Sequence, residues 1–131
     1  MASWFNLTLD TTAPSGLTVK INGDDIYTTT TSVTLALTLD DLETTGYQMK
    51  IWGIDGVDKE TGASWETYSA SKSITLPSGD GLKTVHVKVR DAVGNETAEA
   101  TDSITLDTSV PTVTVTGPDN STISEVVGFN Q

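Results

Sequence analysis

The chain has 131 residues, 7 of them basic and 18 acidic, a net charge of −11. That balance argues against nucleic acid as a partner, since phosphates are met by clustered Lys and Arg, and against docking on an anionic membrane. With no cysteine and a single histidine, disulfides, thiol catalysis and Cys-ligated zinc are excluded.

Residues 1–9, "MASWFNLTL", form an arm ahead of the first strand-like run. The arm has neither the basic start nor the long apolar stretch of a secretory signal. No run in the chain approaches the ~20 apolar residues of a membrane-spanning helix, so no membrane insertion is expected. If Met1 is the natural start, a module of extracellular character must leave the cell without the secretory route, as release inside an assembled virion would allow; a trimmed chain is the alternative. Trp4 and Phe5 have no obvious strand partner. They are candidates for an anchor seated in another protein, or for aromatics folded back on the domain edge.

From residue 17 onward the apolar period is two. Leu17, Val19 and Ile21 alternate with polar neighbours, as do Val33, Leu35, Leu37 and Leu39. "YQMKIWG" sets Tyr47, Met49 and Ile51 on one face and Gln48, Lys50 and Trp52 on the other. "KTVHVKVRD" sets Val85, Val87 and Val89 inward, with Thr84, His86, Lys88 and Arg90 outward. Alternation bounded by Gly, Asp, Asn and Pro predicts half-buried antiparallel strands, and the β-branched residues suit them. The predicted strands cover 17–22, 33–39, 46–54, 65–69, 72–76, 82–90 and 97–106.

Between them, "GIDGVDKETGASW" (53–65) reads as a long loop and "LPSGDGLK" as a corner. "RDAVGNET" reads as a tight hairpin turn started by Asp91, with Gly94 and Asn95 tolerating positive φ. Strict alternation turns Asp102 inward beside Ile104 and Leu106. A lone buried carboxylate is costly, so a bulge or sheet switch is expected near it. "LDTTAP" starts at Leu9 and "LDTSVP" at Leu106, about the span of one β-sandwich module. The expected organisation is therefore an arm (1–9), one sandwich domain (10–108), and a linker with the start of a second module (109–131).

Three stretches, "LDTTAPSGLTVKING", "SASKSITLPSGDGLKTVHVKVRDAVGNET" and "LDTSVP", resemble the bacterial-type immunoglobulin-like repeats of surface proteins, secreted multidomain proteins and phage virion proteins. Trp65 and Tyr68 match the aromatic pair of that family. His86 stands where an aromatic is usual, and Val93 where Ala is usual. The resemblance covers about residues 9–111. It implies an all-β fold, an immunoglobulin-like Greek-key β-sandwich of about seven antiparallel strands. The expected function is a non-enzymatic structural module on a virion surface, as capsid or tail decoration or fibre, aiding weak adhesion to host glycans. Other virion proteins would be its partners. A spacer or adhesion domain of a secreted bacterial surface protein or carbohydrate-active enzyme is the alternative, placed outside the cell or on its surface.

Catalysis has little to draw on. His86 lies between inward valines, and no sequence pattern around it supplies the orienting carboxylate and adjacent nucleophile of a triad. The acid pairs Asp24-Asp25 and Asp40-Asp41 diverge at strand ends. No cofactor is expected. Calcium is the more serious chemical candidate, because Asp55, Asp58 and Glu60 share one loop, yet the spacing of a full calcium loop is absent. The linker acids Asp10 and Asp107 are expected to cap turns. The outward faces of two predicted strands should adjoin, gathering Lys50, Trp52, His86, Lys88 and Arg90 into a basic stripe with an aromatic. Such a stripe could dock an acidic partner, or be a solvated sheet face.

Overall fold

The computed structural model describes residues 10–109. Its strands are β1 (Thr18–Ile21), β2 (Tyr27–Thr28), β3 (Ser32–Thr38), β4 (Gln48–Trp52), β5 (Glu66–Thr67), β6 (Ser71–Thr75), β7 (Gly81–Arg90) and β8 (Ala100–Leu106). They form one sheet of order β1-β3-β6 and another of order β2-β8-β7-β4-β5. The chain crosses between sheets after β1, β2, β3, β5 and β6, so neither sheet folds from contiguous chain alone. The expected arm, with Trp4 and Phe5, lies outside the described residues, as does the expected second module beyond Ser109.

The period-two alternation is what closes the two sheets. Along β3, Val33, Leu35 and Leu37 are buried while Ser32, Thr34, Ala36 and Thr38 are exposed. Val85, Val87 and Val89 face them from β7, fully buried, with Met49, Ile51 and Ile104 beside them. Each such side chain contributes roughly 1.5–3 kcal/mol on leaving water. Two layers of antiparallel strands with sheet-switching connections make this an immunoglobulin-like β-sandwich.

Three details differ from expectation. β2 was not anticipated and pairs parallel to β8, Tyr27 with Thr105 and Thr28 with Leu106. Two residues are too few to show a period, and one parallel contact interrupts an otherwise antiparallel fold. The strands expected at 46–54 and 65–69 shorten to β4 and β5, because the chain leaves the sheet at Gly53.

The third difference concerns Asp102. The β7–β8 ladder runs without interruption from Gly81↔Leu106 to Val87↔Ala100, through Val85↔Asp102. The extra residue lies earlier in the chain. Arg90 bridges Glu96, so three steps along β7 from Val87 match four along the returning chain, within residues 97–99. Thr97 fills the gap: its N–H donates to Val89 O at 2.8 Å and its hydroxyl accepts from Val89 N–H at 3.1 Å.

Asp102 needs no bulge because it has a partner in the opposite sheet. Its Oδ2 accepts from Ile21 N–H at 2.8 Å. β1 is an edge strand, and that N–H points off its free side. The carboxylate thus stitches β8 to β1 across the sandwich. Asp102→Ala should lower unfolding stability by about 1–3 kcal/mol, the cost of an unpaired half-buried donor, while Asp102→Asn, which keeps an acceptor, should lose less. Denaturant titration of the two variants measures this.

Candidate functional site

The expected stripe forms. Within the β4–β7 ladder Gln48 lies opposite Arg90, Lys50 opposite Lys88 and Trp52 opposite His86. Two ammonium groups opposite each other on neighbouring strands repel, so the face needs an anion. The chain supplies it by folding back over the stripe.

Gly53 makes that return possible. It has φ +82°, and a Cβ there would lie 2.2 Å from the Thr84 carbonyl of β7. A tight turn follows, with the N–H groups of Gly53 and Ile54 both donating to Val57 O, at 2.8 and 3.0 Å. A 3₁₀ turn at Glu60–Gly62 then carries Glu60 over the strands. Its Oε2 accepts from Lys50 Nζ at 3.0 Å and from Lys88 Nζ at 3.1 Å. Those two contacts, Lys50 first, hold the Glu60 carboxyl below the usual carboxylate range.

Trp65 completes the cover. Lys50 Nζ sits 4.7 Å and Arg90 Cζ 4.3 Å from its ring centroid, both within cation–π reach. Arg90 also donates through Nε and Nη2 to Gln48 Oε1, at 2.8 and 2.6 Å. His86 stacks on Trp52 with centroids 5.4 Å apart, and its Nδ1 is 2.5 Å from Glu99 Oε2.

Two expectations are corrected here. Trp52 is only 5% exposed, so it offers no solvent-facing aromatic, although its strand position points outward. Lys50, Lys88 and Arg90 do not form an open basic surface, for their charges are engaged by Glu60, Gln48 and Trp65 of the same chain. Of the calcium candidates, Asp55 and Asp58 are exposed while Glu60 turns away to the lysines. The described residues hold no group of three or more His, Asp or Glu arranged to take a metal ion. The aromatic at position 65 was legible as a family residue, but nothing in the spacing showed which cations it would meet.

A second constellation lies at the two ends of β7. At its C-terminal end Asp91, 6% exposed, accepts from the N–H groups of Val93 (3.1 Å) and Asn95 (2.9 Å) and from Asn95 Nδ2 (2.9 Å). Burial pushes its carboxyl up, but the hydrogen bonds from Asn95, Val93 and Gly94 outweigh it and hold the group below its ordinary value. Asn95 Nδ2 also donates to Asp10 O at 2.9 Å. The hairpin turn thereby grips the first "LDTTAP" mark.

At the opposite end, Asp80 of the "SGDG" corner grips the second mark. Its Oδ1 accepts from Thr108 N–H at 3.1 Å and Thr108 Oγ1 at 2.6 Å, and Oδ2 from Ser109 Oγ at 3.0 Å. The Thr108 contacts hold the Asp80 carboxyl below its usual range. Within each mark the aspartate closes the same turn: Asp10 Oδ1 accepts from Thr12 N–H at 3.0 Å, and Asp107 Oδ1 from Ser109 N–H at 3.1 Å. Both linker acids do what the sequence led one to expect, since Asp bonds its own backbone two residues on.

Near the first mark, Asp41 Oδ1 accepts from Ser15 N–H at 3.2 Å and Oδ2 from the Tyr47 hydroxyl at 2.6 Å. The bond to Asp41 pushes the Tyr47 phenol up to about 12. A folded-state value above the unfolded one adds stability that is complete below pH ~10 and is lost as pH rises from ~10 to ~12. Absorbance titration should show a late-titrating tyrosine that Tyr47→Phe abolishes, together with that part of the alkaline loss of stability.

No family model matches the chain, and no curated protein matches it. Among solved structures it is similar to the PKD domain of an M14-like peptidase from Thermoplasmatales archaeon SCGC AB-540-F20. That match has 19% identity and a TM-score of 0.52, and covers 74% of this chain and 98% of that one. FN3tt matches at 14% identity and a TM-score of 0.44, over 74% of this chain and 95% of its own. The likeness to the PKD domain is one of fold.

Proposed function

We propose that the chain is a non-enzymatic structural module of a phage virion protein, a decoration or fibre element of capsid or tail that aids weak attachment to host surfaces or glycans. The observation that carries the structural part is the paired grip on the two marks. The chain enters and leaves the sandwich at opposite ends of β7, each time held by a dedicated corner. Anchored ends suit a module built to connect. The non-catalytic reading is supported by the state of the one histidine, whose ring stacks on Trp52 and whose Nδ1 is engaged by Glu99.

The virion placement draws on the resemblance of residues 9–111 to repeats of phage virion proteins. For attachment, the surface to consider moves from Trp52 to the open half of the same sheet. There Tyr27 (65% exposed) and Leu82 (70% exposed) flank Thr105 across β2, β8 and β7. The test is co-purification: the protein should travel with intact particles through a density gradient, and Tyr27→Ser should weaken host-cell adsorption without removing it from the particle. Recovery only as free protein beside particles contradicts the virion reading. It would favour the second one, a spacer module of a secreted bacterial surface protein or carbohydrate-active enzyme, which the gripped ends fit equally.

A further inference from the structure

The two marks are alike in sequence and in their internal turn, yet they are held through different atoms. In the first, Asn95 takes backbone carbonyls: Asp10 O at 2.9 Å, with Thr12 O at 3.5 Å. In the second, Asp80 takes an N–H and two hydroxyls, from Thr108 and Ser109. Thr108 and Ser109 correspond to Thr11 and Thr12 in the first mark. Residues 10–12 and 107–109 are all exposed, and the two corners bond different atoms of the mark. One grip therefore does not compete with the other for any atom.

We infer that the shared mark, Asp-Thr followed by Thr or Ser, is a two-sided joint between consecutive sandwich modules, gripped at once by the acidic "SGDG" corner of the preceding module and the asparagine of the following module's "AVGN" turn. The partner surface on each side is thus a second module of this kind. The Thr11 N–H and the hydroxyls of Thr11 and Thr12 present donors to a carboxylate, and the carbonyls of Asp107 and Ser109 present acceptors to a carboxamide. Short linkers otherwise leave neighbouring domains free to reorient. Here the linker is bonded to both, so the angle between modules is fixed. Within each module the two corners flank β7, ten residues long and roughly 30 Å from end to end, which makes that strand the strut between joints. The inference rests on the marks being module boundaries and is independent of where the protein resides.

The test uses the chain with residues 15–111 repeated once, so that "LDTSVP" becomes the junction between two complete modules. The chain has no cysteine, so Ser73→Cys in each copy, on an exposed strand position, places one spin label per module. Pulsed electron paramagnetic resonance should give a single narrow distance distribution. Asp80→Ala in the first copy, or Asn95→Ala in the second, should each make it roughly twice as wide, as for a linker released to flexible behaviour, while thermal melts show both modules folded. A broad distribution in the unsubstituted repeat overturns the joint without any variant having to fold. An unchanged distribution in either folded variant overturns it as well. Neither result depends on whether the protein is found on particles, which tests the virion reading separately.

Discussion

Gly53→Ala should destabilise the protein by about 3 kcal/mol or more, the largest effect expected of any single methyl group added to it. Two costs combine. A non-glycine residue in the left-handed region loses about 1–2 kcal/mol, and the added carbon would lie 2.2 Å from the Thr84 carbonyl. That oxygen belongs to β7 at the centre of its sheet and cannot swing aside as a side-chain tip would. Gly56→Ala is the control, for it has a similar φ of +81° but open space around it, so it should lose only about 1–2 kcal/mol. Denaturant unfolding of the pair separates backbone strain from collision. The Gly53 variant should also lift the 53–65 loop, releasing Lys50 and Lys88 from Glu60.

Asp91→Ala should cost about 3 kcal/mol, because three donors that end on a buried carboxylate lose their acceptor together. It should also alter the acid limb of the stability curve. The folded-state value of Asp91 lies below the ordinary one, so its contribution is complete above the unfolded value and is lost as pH falls through the folded one. The variant should therefore lose less stability between neutral and acid pH than the parent. Asp91→Asn, keeping one acceptor, should fall between. Because Asn95 is oriented by Asp91 and in turn holds Asp10, the alanine variant should loosen residues 10–12 as well, seen as faster amide exchange there.

Strand positions were legible wherever the period of two was long. Val33 to Leu37 and Val85 to Val89 declare which face is buried, and placing the strands of Lys50 and Lys88 in one sheet gathers Lys50, Lys88 and Arg90 on one outward face, though not their register. What could not be read was the fate of the outward face. Its composition suggested a charged stripe, but whether a stripe meets solvent or a loop is decided by the path of 53–65, a segment with no period. That path depends on one positive-φ glycine and on Glu60 finding two ammonium groups, contacts between residues far apart in sequence. Asp102 shows the same limit from the other side. Alternation turned it inward, where it is half-buried, but its partner is a backbone N–H of an edge strand, and no side-chain pattern announces a free N–H. Likewise the turn-capping role of Asp10 and Asp107 is local and could be read, whereas the grips of Asn95 and Asp80 close the fold over long separations.

The cationic face is closed by the chain's own loop, which leaves the two ends of the sandwich as its connecting surfaces. The shifts of the Lys50 ε-methylene and Arg90 δ-methylene protons in the 131-residue chain report on this directly, because both side chains lie over the Trp65 ring. The expected result is marked upfield shifts of both sets, with cross-relaxation to the indole, and their disappearance in Trp65→Ala. Random-coil shifts for both in the unsubstituted protein would mean that the face is open, and would contradict the account.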